Sequence, residues 1–309
     1  MNKKSFYTHG KLLLSAEYFV LDGALALALP VKYGQFLDID EGSAECLEWQ
    51  SFDADQQKWF EAKFRLANFS FFDENDAAVA QQLQKILLSV RVQNPSFLSE
   101  NLSLSVKTRL TFPRKWGFGS SSTLIAAIAT WGGVDPFQLL RDSFGGSGYD
   151  IACAIANGPL LYQLSPRSNF VEIPFHPSFK GQVFFVYLGK KQSSREGIAR
   201  YRKQAASRNI PIEEITNITY QILQSDQLQQ FEDLIAQHEA LVAQVIGLDK
   251  VKDKLFADYW GQVKSLGAWG GDFVLATSNR SKAETKQYFF EKGYKTVFSY
   301  SELIRCNLS

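Results

Sequence analysis

Hydrophobic and polar positions change period several times along the chain. Cys46 to Phe52 and Lys58 to Leu66 alternate, which predicts a hairpin. Leu102 to Leu110 alternates through Leu102, Leu104 and Val106, with serine and lysine between, and reads as a strand. Phe6 to His9, Lys11 to Leu14 and Gly34 to Ile39 read as further strands, and Asp22-Gly23 as a hairpin-type turn. The short apolar stretch Leu21 to Val31 reads as a turn and a buried strand or short helix. From Asp76 to Val92 the period becomes helical: Val79, Leu83, Ile86, Leu87 and Val90 share a face, with Asn75 or Asp76 as cap. Thr123 to Trp131 is small and apolar, the mark of a buried helix. Asp135-Pro136 supplies the cap and first-turn proline of the next helix, which Gly145 to Gly148 ends. Tyr149 to Asn157 reads as a short helix and Pro159 to Leu164 as a strand.

Ser165 to Pro177 carries three prolines and little periodicity, so a domain boundary is expected there, giving domains 1–170 and 171–309. Beyond it, Val183 to Leu188 is a buried strand. Ser194 to Asn209, Ile212 to Ile246 and Val251 to Leu266 read as helices. Gly267 to Gly271 is a glycine turn, Phe273 to Ala276 a strand, Lys282 to Lys292 a helix and Lys295 to Ser299 a strand. No internal repeat or low-complexity run interrupts this order. Strands with hairpin signals mixed with helices argue an α+β fold.

Composition narrows the function classes. The 309 residues carry a net charge of +1, so no strong field points to nucleic acid or an anionic membrane. No stretch reaches the roughly 18 apolar residues of a membrane helix. Leu12 to Leu14 is too short for a signal segment. The three cysteines, Cys46, Cys153 and Cys306, form no CxxC pair, which disfavours a disulfide framework or a zinc site. His9, His176 and His238 form no ligand pattern. The expected setting is cytoplasmic.

Four segments could carry chemistry. Trp116-Gly117-Phe118-Gly119-Ser120-Ser121-Ser122 joins a strand to a helix. Its glycines allow close backbone approach, its amides and the helix start favour an anion, and its hydroxyls add donors: the needs of a polyphosphate. It is neither a GxxxxGK[ST] loop nor a complete GxGxxG fingerprint. The plainer alternative is a Gly/Ser loop capping a buried helix. His9 to Tyr18 places Lys11 just inside an apolar strand, where a buried ammonium needs a partner. A lysine at a strand edge is the alternative. Gly145-Gly146-Ser147-Gly148-Tyr149-Asp150 opens a short helix with an aspartate, which is either an ordinary helix-start acid or a group that orients or deprotonates a hydroxyl. Ser265 to Phe273 is a glycine loop that is either a helix cap and turn or a cover for a nucleotide.

In this order the four segments resemble the GHMP kinases: galactokinase, homoserine kinase, mevalonate kinase, phosphomevalonate kinase and the related diphosphomevalonate decarboxylase. His9 to Val31, Gly117 to Ser122 and Leu266 to Val274 look like the three family motifs. GSGYDIA followed by Gly158 to Tyr162 looks like the aspartate segment of the mevalonate and phosphomevalonate kinases. Gly189 to Ser194 looks like their loop near the acceptor.

The resemblance implies a two-domain GHMP kinase-like fold, with an N-terminal ribosomal-protein-S5-domain-2-like domain and a C-terminal ferredoxin-like domain. It implies transfer of the ATP γ-phosphate to mevalonate or phosphomevalonate in isoprenoid precursor synthesis. Asp150 would be the catalytic aspartate and Lys11 its charge partner. Gly117, Phe118, Gly119, Ser120, Ser121 and Ser122 would hold ATP, with Ser121 touching Mg²⁺. Glu17, His9, Ser147, Ser193, Ser194 and Gly270 would bind the substrate. The partner is a small molecule rather than nucleic acid or membrane, and a homodimer is compatible.

Departures remain. The helix upstream of Asp150 has Leu139 about where mevalonate kinases carry a metal-binding glutamate, with Asp142 the nearby acid. Trp269 and Asp272 stand where small residues are usual. A sugar or homoserine kinase, the decarboxylase, or a non-catalytic ligand-binding protein on this fold are the competing readings. The presence of both Lys11 and Asp150 argues against the last.

Overall fold

A computed structural model describes residues 3–99, 102–164, 168–190, 193–206, 210–269 and 272–306. By contacts, the chain divides into two compact units that interleave in sequence. One comprises Met1–Gly10, Tyr33–Arg114 and Phe118–Ile155; the other comprises Lys11–Lys32, Lys115–Gly117 and Ala156–Ser309.

The first unit contains most of β1 (Lys4–Leu13), the second part of β2 (Ala26–Glu41), and β3 (Leu47–Phe52), β4 (Lys58–Phe64) and β5 (Phe71–Phe72). It continues with α1 (Ala77–Gln93), β6 (Leu104–Leu110), α2 (Ser120–Gly132), α3 (Pro136–Ser143) and α4 (Tyr149–Ile155). The sheet order is β5-β4-β3-β6-β2, with β1 also on β2; β3 and β4 form the expected antiparallel hairpin, and β3 runs parallel to β6. Alternation turns Trp49, Phe60, Phe64, Leu104 and Val106 inward, where they form one core with Ala80, Leu83, Ile86, Leu87 and Val90 of α1. Asp76 caps α1 by accepting from the amides of Ala78 and Val79, and Asp135 caps α3 ahead of Pro136. The central residues of α2 are buried all round, as its composition requires.

The second unit takes the first part of β2 together with β7 (Leu160–Leu164) and β8 (Ser168–Glu172), a hairpin whose β7 pairs with Ala26 to Ala28. There follow β9 (Val183–Tyr187), α5 (Ser194–Ala205), α6 (Ile212–Gln224), α7 (Leu228–Ile246) and α8 (Val251–Leu255). The chain then forms β10 (Val263–Leu266), β11 (Phe273–Thr277), α9 (Lys282–Glu291), β12 (Val297–Ser299) and α10 (Tyr300–Leu303). An antiparallel sheet of order β10-β11-β9-β12 packs Phe184, Val186, Val274 and Ala276 against Phe256, Tyr259 and Phe289.

Three expectations change. The helix read over Ile212 to Ile246 is two helices, broken at Ser225 to Gln227. A strand stands at Ser168–Glu172, within the stretch read as aperiodic. The helix read over Val251 to Leu266 stops at Leu255, and its end is the buried strand β10. Gly261 shows why: a Cβ there would lie 2.0 Å from the Thr277 carbonyl oxygen, so the chain must pass against β11. Tyr259 fixes the same approach by donating its hydroxyl to that oxygen at 2.8 Å. Among the described residues, no helix is long and apolar enough to cross a membrane.

Candidate functional site

The glycine segment changes unit between Gly117 and Phe118. In the first unit, Phe118 is fully buried and packs on Phe112 and Tyr33, with ring centroids 5.5 and 6.3 Å away. Its side chain is an anchor, so only its backbone is offered to a ligand. Gly119 precedes α2 in the left-handed region (φ 88°), no side chain caps the helix, and its first turn holds no acid. The first amides and the positive end of the helix are therefore available to an anion.

Side chains hold this start in place. Ser122 Oγ donates to the Gly119 carbonyl at 2.9 Å. Thr8 donates to the Thr123 carbonyl at 2.9 Å, and Thr123 donates to Gln35 Oε1 at 2.7 Å. Ser122 is thus spent on the loop itself, whereas Ser120 is half-buried and Ser121 exposed. Ser120 and Ser121 line a cavity of ≈ 350 Å³ whose walls include Trp59, Val79, Leu83 and Arg114. The Arg114 guanidinium lies 3.7 Å over the Trp59 ring, and the buried Trp59 indole N–H has no hydrogen-bond partner. An aromatic, mostly apolar cavity beside an uncapped helix start suits a flat heterocycle joined to phosphates.

In the same unit, Asp150 stands in the first turn of α4, half-buried, and its Oδ1 accepts from the Ile151 amide at 3.0 Å. Ser147 and His9 are half-buried, and His9 meets Tyr7 edge-on at 5.0 Å. Leu139 is fully buried, and the exposed Asp142 accepts from Gln138 at 2.7 Å. Among the described residues, no three His, Cys, Asp or Glu side chains cluster as metal ligands. The residues therefore do not build a protein cage for Mg²⁺, and Ser121 offers a single exposed hydroxyl.

In the second unit, three of the four segments converge on Gly117. Half-buried Lys11 donates to its carbonyl at 2.9 Å. Gly117 has φ +69°, and a Cβ on it would lie 2.2 Å from Asp272 Oδ2, so conformation and space both demand glycine. The preceding Trp116 packs among Tyr187, Phe273 and Phe298, and Tyr187 donates to the Lys115 carbonyl at 3.1 Å. Burial and, less strongly, the Asp272 charge push the Tyr187 hydroxyl pKa up.

Glu17, expected at the substrate, lies instead in a buried ion pair with Lys264 on β10; the two side chains are 1% and 0% exposed. His238 Nε2 on α7 lies 3.4 Å from Glu17 Oε2 and accepts the Ala16 amide at 2.8 Å. Burial lifts the Glu17 pKa to about 7 against the pull of Lys264. Burial and the Lys264 charge push the His238 pKa well below its ordinary value, which matches its acceptor role. Burial likewise raises Glu239, whose carboxyl accepts the Ser265 amide at 3.1 and 3.2 Å.

Ser193 caps α5, accepting the Glu196 amide at 3.3 Å, and both Ser193 and Ser194 are exposed. Gly270 lies outside the described residues. Sequence reasoning missed Lys264, His238, Trp59 and the approach of Asp272 to Gly117. The one signal was a lysine inside the apolar run Val263 to Leu266, obscured by reading that run as helix.

No protein-family model and no curated protein sequence matches the chain. Solved structures do. The L. major mevalonate kinase in complex with R-mevalonate is similar at TM-score 0.68 and 17% identity, covering 99% of this chain and 97% of that one. The Methanococcus jannaschii mevalonate kinase is similar at TM-score 0.71 and 15% identity over 99% of both chains. The Streptococcus pneumoniae phosphomevalonate kinase in complex with phosphomevalonate and AMPPNP is similar at TM-score 0.69 and 16% identity, over 96% of this chain and 99% of that one. With near-complete coverage in both directions, the chain has the α+β fold of the GHMP kinases.

Proposed function

We propose that the chain is an ATP-dependent phosphotransferase that moves the γ-phosphate to mevalonate or phosphomevalonate, in the supply of isoprenoid precursors. The observation that carries this reading is the uncapped start of α2 opening on an aromatic cavity, with Ser120 and Ser121 in its lining. Such transfer rests on positioning and charge stabilisation rather than covalent chemistry of the protein. In this reading the cavity takes the base, and the amides and hydroxyls of Gly119 to Ser122 take the phosphates of ATP, which arrives as its Mg²⁺ complex. Lys11 holds the Gly117 carbonyl and so fixes where the segment begins.

The acceptor oxygen forms a bond to the γ-phosphorus while the bond to the β–γ bridging oxygen breaks, and ADP leaves with that electron pair. A hydroxyl acceptor gives its proton to the Asp150 carboxylate. A phosphate acceptor has no such need, and Asp150 then orients it. Ser147, Ser193 and Ser194, with His9 and Gly270, are assigned to the acceptor. The mevalonate, phosphomevalonate and AMPPNP bound by the similar structures support this choice of ligands.

The test offers Mg-ATP with mevalonate, phosphomevalonate, homoserine or galactose and reads ADP release. Turnover with one of the first two is expected, together with AMPPNP binding that Gly119→Val weakens by about tenfold or more through added bulk. A folded protein that binds no AMPPNP in calorimetry would overturn the reading.

A further inference from the structure

Among the described residues, Lys264 is the one fully buried lysine or arginine. Its ammonium donates to Glu17 Oε1 and, at 2.8 Å, to the Ser265 carbonyl. Stability alone is a poor reason to keep it, because apolar replacements of a buried ion pair are often neutral or better. Its surroundings suggest another. Glu17 lies between Ala16 and Tyr18, two non-glycine residues both held at φ 65°. Such strain persists where neighbours over-determine it.

Here the neighbours belong to the two flanks of the third-motif loop and to α7. Ala16 donates its amide to His238, and the Ser265 amide goes to Glu239. The Trp269 amide donates to the Tyr18 hydroxyl at 3.2 Å. The loop leaving β10 is therefore fastened to the first-motif turn at Lys264 and again at Trp269. Leu266 at the end of β10 pairs with Phe273, and the neighbouring Asp272 puts its carboxylate in the space beside the Gly117 α-carbon.

We propose that Lys264 is a positioning residue for phosphoryl transfer: through Glu17 it fixes the 15–18 turn and the end of β10, which pairs with β11 beside Asp272, and so the place where Lys11 and Asp272 hold Gly117. This inference rests on the phosphotransferase reading. Lys264 touches no substrate. Ground-state nucleotide affinity, by contrast, is assigned to the cavity and the start of α2 in the first unit. Loss of Lys264 should therefore appear in kcat more than in nucleotide affinity.

The variants are Lys264→Met and the double Glu17→Gln/Lys264→Met, which removes both charges and leaves neither buried ion unpaired. The double variant is expected to fold with a Tm near that of the parent. Its kcat should fall by about 10- to 100-fold, the range a displacement near 1 Å can cause, with the AMPPNP Kd within about threefold of the parent. Hydrogen exchange should show lost protection at the Ala16 and Trp269 amides. Tyr18→Phe, which keeps the ring stacked on Tyr201 but removes the Trp269 acceptor, should lower kcat in the same direction.

A folded double variant with parental kcat and parental protection at both amides overturns the proposal. So does a kcat loss in Lys264→Met that the double variant fully reverses, since that assigns the pair a structural role only. If the single variant does not fold, the double variant decides. If the parent releases no ADP with any acceptor, the phosphotransferase reading fails separately, and the exchange measurement alone decides whether Lys264 fixes the turn and the end of β10.

Discussion

At the start of α2 the polar groups are backbone amides and hydroxyls, arranged by Thr8, Gln35 and Thr123, with the Arg114 cation in the wall of the adjoining cavity. Around Lys264 they are titratable groups: one ammonium, two carboxyls and an imidazole, all essentially out of water. The first arrangement is built by the chain path and has amides to offer an incoming anion. The second is a buried set in which Glu17 and Lys264 compensate each other while Glu17 Oε2 and His238 Nδ1 make no hydrogen bond, and removing one member of the pair leaves a buried charge. Bulk should therefore injure the first region and leave its charge balance intact. Charge changes should injure the second with little change of volume.

The largest expected effect falls in the first unit and spares stability. Asp150→Asn keeps an oxygen for the Ile151 amide and nearly the same volume. Proton acceptance is lost, and turnover should drop by roughly 10² to 10⁴, the span of general acid–base groups, with unchanged AMPPNP affinity. Steady-state kinetics on the hydroxyl acceptor measure this. Turnover within a few-fold of the parent would return Asp150 to the role of a plain helix-start acid.

The mirror experiment is Glu17→Ala, which strands the Lys264 ammonium beside a neutral His238. Breaking a buried pair from one side costs about 3–5 kcal/mol. Urea unfolding should show most of that loss. A cost under about 1 kcal/mol would mean that Lys264 finds another partner or discharges, and that the two regions differ less than their composition suggests.

Gly117 tests a position where both materials meet, a glycine pressed by a carboxylate. Gly117→Ala adds a methyl 2.2 Å from Asp272 Oδ2 and holds alanine at φ +69°. The backbone part costs about 1–2 kcal/mol and the clash adds to it. Adding Asp272→Ala should recover only the clash, so the double-mutant cycle separates the two causes. Full recovery would show that the left-handed backbone carries no cost there.

The same contrast explains what could be read from the sequence. The hairpin of Trp49 and Phe60, the α1 face from Val79 to Val90, and the Asp135-Pro136 cap are local patterns with local causes. The glycine segment was legible as a loop ahead of a helix because the residues that mark it are consecutive. The β10 strand was not, because Lys264 is tolerated inside a buried strand only through Glu17, 247 positions away. Strand β8 was missed for a different reason: its residues are mostly exposed and show no clean alternation. Glu17 was found as a motif residue but assigned outward, since nothing nearby in sequence announces the lysine that turns it in.

The smallest effect is a slope. Glu17 titrates at about 7 in the folded chain against an ordinary 4.5, so the folded state holds its proton more tightly. Its contribution to stability is full below 4.5 and is lost as pH rises towards 7. Glu239, also raised by burial, acts in the same direction. His238, pushed below 6.5, acts oppositely: its contribution is full above 6.5 and is lost as pH falls below that value. Between the two ordinary values these dependences oppose one another. Glu17→Gln removes one falling contribution and keeps the volume. The unfolding free energy of this variant should therefore rise with pH more steeply than that of the parent, by up to about 1.4 kcal/mol per pH unit. Urea midpoints at pH 4.5, 5.5 and 6.5, the ordinary values of Glu17 and His238 and the point between them, measure the difference. Ser121→Ala, at the start of α2, should leave the slope as it is. Parallel slopes for Glu17→Gln and the parent would mean that the Lys264 charge outweighs burial and keeps Glu17 ionised throughout, so that the buried set carries a fixed charge rather than a shared proton.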